Sequence, residues 1–135
     1  KINSEEGDVI IHSDDNLNNF VCKNIVRAIG RGFTPEESLV LLDDDYTYES
    51  IDITEYAGKS KNSLIRIKSR LIGTKGKARK QIEMLTNTCI CIYGKTVGII
   101  GRQDDVDLAR QAVDKLLKGS QHGKVYLFIE KSKII

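Results

Sequence analysis

The sequence predicts an α+β fold, a three-stranded sheet packed by helices, and three observations carry that prediction. Apolar residues recur at helical spacing on both sides of the tetrapeptide Gly73-Thr74-Lys75-Gly76: Leu64, Ile67 and Leu71 before it, Ala78, Ile82 and Leu85 after it. Downstream, Cys89-Ile90-Cys91-Ile92-Tyr93 and Thr96-Val97-Gly98-Ile99-Ile100-Gly101 read as strands joined by a turn at Gly94-Lys95. The order over residues 48–118 is therefore strand, helix, turn, helix, strand, strand, helix.

In chain order, Lys1 to Asn3 and Val9 to His12 read as two strands around the turn Ser4-Glu5-Glu6-Gly7-Asp8. The chain starts at Lys1 rather than Met, inside a strand, which suggests that a natural N-terminal part is missing. Asp14, Asp15 and Asn16 offer helix caps, and Phe20, Val21, Ile25, Ala28 and Ile29 form one apolar face, ended by Gly30 and Gly32. A second helix is announced by Thr34 as N-cap, Pro35 at the first helical position and Glu37 closing a capping box. It carries Leu39 and Leu42 and stops at Asp43-Asp44-Asp45, where three acids oppose its dipole. Tyr46, Tyr48, Ile51 and Ile53 suggest a strand with a kink near Glu49-Ser50. Ser60 or Asn62 caps the helix that runs to Ile72, and Asn87 breaks the helix after the tetrapeptide. Asp104 caps the last helix, whose face is Val106, Ala109, Val113, Leu116 and Leu117, and Gly119 ends it.

Gly73 tolerates the positive φ that ends one helix, and Gly76 opens the next. Neither has a side chain to keep a ligand away from the backbone. The N–H groups at the start of the second helix lack intrahelical partners and carry the positive end of its dipole, an arrangement that binds phosphate. From Lys59 to Lys80 there are nine basic residues (Lys59, Lys61, Arg66, Lys68, Arg70, Lys75, Lys77, Arg79, Lys80) and no acid.

The net charge of +2 conceals an asymmetry. Residues 1–58 hold four basic against thirteen acidic side chains, a net −9, and residues 59–135 hold seventeen against six, a net +11. Such a split points to a polyanion as the partner of the second half. The composition, 40% hydrophobic and 30% charged, fits a globular chain, and no apolar run is long enough to span a membrane. Cys22, Cys89 and Cys91 form an odd set without a disulfide pattern, which fits a reducing, cytoplasmic setting. His12 and His122 lack metal-ligand spacing, so no metal site is expected. Gly58-Lys59-Ser60 ends like a nucleotide-binding P-loop, but Ile53 stands where its first glycine belongs. There is no catalytic triad or carboxylate pair on a shared face, and Tyr93, Asp104 and Asp105 are better explained by sheet packing and helix capping.

The element order, with Leu71-Ile72-Gly73-Thr74-Lys75-Gly76 followed by Ile82, resembles the type I KH domain family. That resemblance implies binding of single-stranded nucleic acid, the loop clamping about four backbone nucleotides while bases lie on an apolar groove. Carried over by position, the loop is Gly73, Thr74, Lys75 and Gly76, and the groove uses Ile72, Ile82, Ile90 and Ile92. Lys77, Arg79 and Lys80 hold phosphates, with Arg70 in the same basic set. The beginning of the chain, strand, strand, helix, resembles the same unit entered late. The chain then reads as tandem type I KH units (β-α-α-β-β-α), the first incomplete and acidic. Its parts are residues 1–33, the end of the first unit; 34–47, a helical linker; 48–118, the complete KH domain; and 119–135, a C-terminal extension.

Further segments narrow the resemblance. These are Ala28-Ile29-Gly30-Arg31-Gly32-Phe33, Leu41-Leu42-Asp43-Asp44-Asp45-Tyr46, Ile92-Tyr93-Gly94-Lys95-Thr96-Val97 and Gly119-Ser120-Gln121-His122-Gly123-Lys124-Val125-Tyr126. They are similar to the archaeal members of the partner-of-NOB, or Dim-two, family of pre-ribosomal-RNA processing factors. Two positions depart from the family pattern: Thr74 stands where a basic residue is usual, which weakens one phosphate contact, and Gln121 where Pro is common. The resemblance implies a protein without enzymatic activity or cofactor. It binds single-stranded RNA near the 3′ end of the 16S-type ribosomal RNA and serves as platform for the NOB endonuclease. In archaea it also implies contact with the alpha subunit of translation initiation factor two. The rival readings are a generic KH RNA-binding module with no part in ribosome maturation and, more remotely, an RNA-acting enzyme.

Overall fold

The computed structural model of the protein describes residues 2–3, 8–9, 16–58 and 60–134. The predicted turn at 4–7, the strand residues 10–12 including His12, the caps Asp14 and Asp15, and Lys59 lie outside the described residues. At the N-terminus β1 (Ile2–Asn3) pairs antiparallel with β2 (Asp8–Val9), and α1 runs over Asn16–Gly30. The capping box forms as its sequence dictates. Glu37 N–H donates to Thr34 Oγ1 at 3.1 Å, Thr34 N–H donates to Glu37 Oε1 at 3.0 Å, and Pro35 opens α2 (Pro35–Leu39). A 3₁₀ turn (Val40–Leu42) continues it into the acidic triplet, where Asp45 N–H donates to Asp43 Oδ1 at 3.0 Å and closes a turn.

The sheet is β3 (Tyr46–Asp52), β4 (Cys89–Tyr93) and β5 (Thr96–Arg102), antiparallel in the order β3-β5-β4. β3 pairs with β5 without interruption from Tyr46↔Arg102 to Asp52↔Thr96, so the kink expected near Glu49-Ser50 is absent. Period-two alternation divides the residues between two faces. Ile51, Ile90, Val97 and Ile99 face the main core, which α4 (Lys61–Ile72), α5 (Lys77–Thr86), α6 (Gln103–Leu117) and α7 (His122–Ile134) complete with Leu71, Ile82, Val113, Leu116, Val125 and Ile129. A short helix missing from the sequence reading, α3 (Thr54–Ala57), links β3 to α4.

The other face carries Tyr46, Tyr48, Cys89, Cys91 and Ile100, and a second cluster covers it with Ala28, Phe33 and Leu41. Gly98 makes this possible: a Cβ there would stand 2.6 Å from a Phe33 ring carbon. Phe33 sits in that notch, edge-on to Tyr48 with centroids 6.1 Å apart. Burying this ring contributes roughly 2–3 kcal/mol. The notch thereby seats the segment after α1 on the sheet.

Two helix boundaries differ from the sequence reading. Asp104 is not the cap of α6; Arg102 is the N-cap and offers no side-chain bond. β5 runs straight into the helix, and Asp104 and Asp105 fall in its first turn, where their charge suits the dipole. Residues 119–135, read as an extension, contain α7, whose Val125 and Ile129 are fully buried in the main core. Lys115 Nζ lies 4.6 Å from the centroid of the Phe128 ring and ties α7 to α6 further.

Candidate nucleic-acid interface

The site grows out of the α4–α5 junction. Ser60 caps α4, accepting from Ser63 N–H at 3.3 Å, as the sequence predicts. The helix ends where Gly73 takes φ +76°, ψ 174°, with its N–H donating to Ser69 O at 2.8 Å. Only glycine adopts this conformation readily. A Cβ on Gly73 would also lie 2.7 Å from both Cβ and N of Ala78. Thr74–Gly76 form a single 3₁₀ turn in which Lys75 is left-handed (φ 56°, ψ 28°), and Gly76 at φ 74° starts α5. Three of the four loop positions, Gly73, Lys75 and Gly76, have positive φ and turn the chain without a bulky linker, and Thr74 and Lys75 are exposed at its tip.

Around the tip, Lys75, Lys77 and Lys80 are exposed, and none forms an ion pair among the described residues. Lys80 folds back along the loop: its Cε is 4.0 Å from the point a Gly76 Cβ would occupy. Arg66 is exposed and Lys68 half-buried on α4. The result is a bare backbone turn surrounded by unpaired ammonium groups, suited to an anion that approaches closely.

Other basic residues singled out from the sequence are committed elsewhere. Arg70 is a strut. Its Nε donates to Leu116 O at 3.2 Å, a guanidinium Nη donates to Ser120 O, and its own carbonyl accepts from His122 Nε2 at 2.8 Å. It donates to one carbonyl in the last turn of α6 and one in the segment that follows, so its charge is turned into the protein rather than toward a ligand. Arg79 donates from Nη1 to Ile90 O at 3.0 Å and pairs with Glu83 Oε1 at 3.5 Å.

The residues read from the sequence as the apolar groove divide between core and surface. Ile82 and Ile90 are 0% and 2% exposed, members of the main core. The helical spacing that aligns Ile82 with Ala78 also turns it inward, and Ile90 shares the inward face of β4 with Ile92. Their side chains therefore offer no surface to a base. Ile72 and Ile92 are half-buried and remain at the surface. Ile65, 62% exposed and two turns before Ile72 on the same helix face, and Met84, 67% exposed on α5, were not identified from the sequence. Their exposure is a tertiary property, and only the spacing of Ile65 to Ile72 hinted at it.

Among the described residues the cysteines are free, and burial pushes the Cys89 and Cys91 thiols up. Tyr56 O–H donates to Asp114 Oδ1 at 2.5 Å; that bond pushes the Tyr56 hydroxyl up to about 12 and holds the Asp114 carboxyl below its ordinary value. No helix of the described residues is long and apolar enough to cross a membrane.

Comparison with known proteins places this geometry. The model of the second KH domain of PNO1, a eukaryotic-type KH domain (KH-domain type I), matches residues 47–134. The chain belongs to the PNO1 family of type I KH proteins. A KH domain-containing protein of Methanocaldococcus jannaschii is 44% identical over 132 residues, covering 95% of this chain and 58% of that protein. The pre-rRNA-processing protein PNO1 of Chaetomium thermophilum is 33% identical over 105 residues, 76% of this chain and 40% of that one. The chain thus spans between two-fifths and three-fifths of these relatives' length. Among solved structures, the a/eIF2alpha–aDim2p–rRNA complex of Pyrococcus horikoshii contains a chain that is 37% identical, with TM-score 0.86 over 98% of this chain and 75% of that one. The match to the PNO1 KH model takes in the GxxG loop, the β4–β5 hairpin and α7.

Proposed function

We propose that the KH domain binds single-stranded RNA in small-subunit ribosome maturation, holding the RNA backbone at Gly73–Gly76. The observation that carries this reading is the exposed loop, with two positive-φ glycines and Lys75, Lys77 and Lys80 unpaired around it. Phosphates pack against the bare backbone of the turn, and the lysines supply sequence-independent attraction. Ile72 and Ile92, with Ile65 further along α4, provide the apolar surface on which bases lie. Ile82 and Ile90 support that surface from below.

The RNA segment proposed is the 3′ end of the small-subunit ribosomal RNA, and the complex serves as platform for the NOB-type endonuclease. The protein supplies no catalytic group to the cleavage and works in the cytoplasm. Support comes from the pre-rRNA-processing name of the PNO1 relative and from the rRNA-containing complex of the homologous aDim2p. The same complex supports the alpha subunit of translation initiation factor two as a protein partner. The acidic residues before β3, five of them in the linker 34–47 and the rest in the first unit, are the surface for a basic protein rather than for RNA.

The test is the double variant Thr74→Asp, Lys75→Asp, which lowers the loop charge by three units. Each unit at about 5 Å from a phosphate in water-like dielectric is worth about 0.8 kcal/mol, so affinity falls roughly 70-fold at low salt. Titration against a 3′-end ribosomal RNA oligonucleotide should show that loss, with an unchanged far-UV spectrum. Unchanged affinity would remove the loop from the mechanism. Equal affinity of the wild type for unrelated single strands would favour a generic RNA-binding module.

A further inference from the structure

β4 is the edge strand next to α5, and its outward backbone groups are free to bond to something other than β5. At Ile90 both groups are taken by side chains of one helix. Glu83 Oε2 accepts from Ile90 N–H at 2.9 Å, and Arg79 Nη1 donates to Ile90 O at 3.0 Å. Arg79 and Glu83 are themselves paired at 3.5 Å. The arrangement is held by the tight turn between α5 and β4, where Asn87 is left-handed and Thr88 N–H donates to Glu83 O at 3.1 Å. Two residues further along β4, Ile92 presents the same outward pair with no side-chain partner among the described residues.

Acceptor and donor side by side are what the pairing edge of a nucleobase offers. Adenine and cytosine each carry a ring nitrogen acceptor beside an amino donor, and guanine and uracil carry a carbonyl acceptor beside a ring N–H. Glu83 and Arg79 therefore fill, from within the chain, the hydrogen-bonding positions that an unstacked base would use on this strand. They lie one and two helical turns beyond Gly76 on α5, so RNA held by the loop runs past them.

We propose that Glu83, with Arg79, determines whether a base is read at the β4 edge: the pair occupies Ile90 in the free protein, and a base gains that position only by displacing the Glu83 carboxylate. Glu83 is the discriminating member. Its displacement leaves an acceptor-only group facing the base, while Arg79, once released, can turn to a phosphate. The apparent affinity for base-bearing RNA is then reduced by the fraction of time the pair is closed. This rests on the RNA-binding reading above.

The experiment compares wild type, Glu83→Ala and Glu83→Gln by fluorescence anisotropy against two RNAs of equal length and charge. One is an ordinary single strand and the other carries abasic nucleotides throughout. Removing a negative charge, or freeing Arg79, strengthens binding to both RNAs equally. Opening the β4 edge strengthens only the base-bearing one. The expected result is a gain of about tenfold for Glu83→Ala on the ordinary strand beyond any change on the abasic strand. Glu83→Gln keeps an oxygen acceptor for Ile90 N–H, so its base-dependent gain is smaller. A thermal melt checks that each variant is folded. Equal change on both RNAs, or loss on both, overturns the proposal while leaving loop binding intact. Absence of wild-type binding to either strand overturns the RNA reading itself, and this inference with it.

Discussion

The two glycines of the loop are alike in sequence and unequal in structure, and that inequality gives a quantitative test. Gly73 at φ +76°, ψ 174° lies in a region essentially confined to glycine, and an alanine Cβ there would stand 2.7 Å from Ala78 Cβ and N. The backbone conformation costs about 1–3 kcal/mol, and forcing the start of α5 aside adds about 1–3 kcal/mol. Gly73→Ala should therefore cost about 2–6 kcal/mol and lower the melting temperature by about 8–24 °C, at about 4 °C per kcal/mol. Gly76 at φ 74°, ψ 14° is left-handed but open, with Lys80 Cε at 4.0 Å as the nearest neighbour. Gly76→Ala carries only the left-handed penalty, about 1–2 kcal/mol. Urea denaturation followed by far-UV circular dichroism measures both, given equal slopes with denaturant. Equal losses, or a larger loss at Gly76, would refute the assignment of Gly73 as the sterically locked position.

Two further predictions concern groups around the site. Arg70→Ala leaves the carbonyls of Leu116 and Ser120 without their guanidinium donor, so it should destabilise by about 2–3 kcal/mol. The RNA affinity of the folded variant should stay within about threefold of wild type by anisotropy, and a selective loss of affinity would return Arg70 to the phosphate contacts. The Tyr56–Asp114 bond sets a pH window. Asp114, held below its ordinary 3.8, contributes stability above that value and loses it as pH falls through the lowered value. Tyr56, raised from 10.0 to about 12, contributes below pH 10 and loses it as pH rises through the raised value. The excess stability of wild type over Tyr56→Phe should be flat between these limits, at most about 1 kcal/mol at a half-buried, solvent-screened site, and shrink on both sides. Denaturation midpoints across pH check it; an excess independent of pH would mean that the bond is not formed.

Local chemistry was the legible part of the sequence. The capping box at Thr34-Pro35-Glu37, the Ser60 cap, the turn at Gly94-Lys95 and the helix break at Asn87 all rest on neighbours within a few residues, and the structure places each as read. Misreadings came where long-range packing decides. Asp104 looked like a cap because Asp is a good one, yet the position belongs to the residue at which β5 leaves the sheet. The run Val125-Tyr126-Leu127-Phe128-Ile129 is apolar without interruption, so it shows no helical face; helix α7 forms because Val125 and Ile129 find the main core. Phe33 and Gly98 are 65 residues apart, and nothing local links a ring to its notch. In the site, the loop and its lysines were legible because exposure there follows from the motif. Arg70 is engaged with carbonyls, and Ile82 and Ile90 are buried, because a motif gives a residue's position on an element but not which way the finished fold turns it.

The account rests on Lys75, Lys77 and Lys80 gripping an RNA backbone at the exposed loop, and the salt dependence of binding tests it most directly. Each phosphate neutralised on a single strand contributes about −0.7 to the slope of log affinity against log salt, so three lysines account for about −2. Titration of single-stranded 3′-end ribosomal RNA across a salt series should give a wild-type slope at least that steep. The triple variant Lys75→Ala, Lys77→Ala, Lys80→Ala should flatten it by about 2 units. A wild-type slope near zero, or a triple variant with the wild-type slope, would contradict the claim that the loop and its lysines hold the RNA.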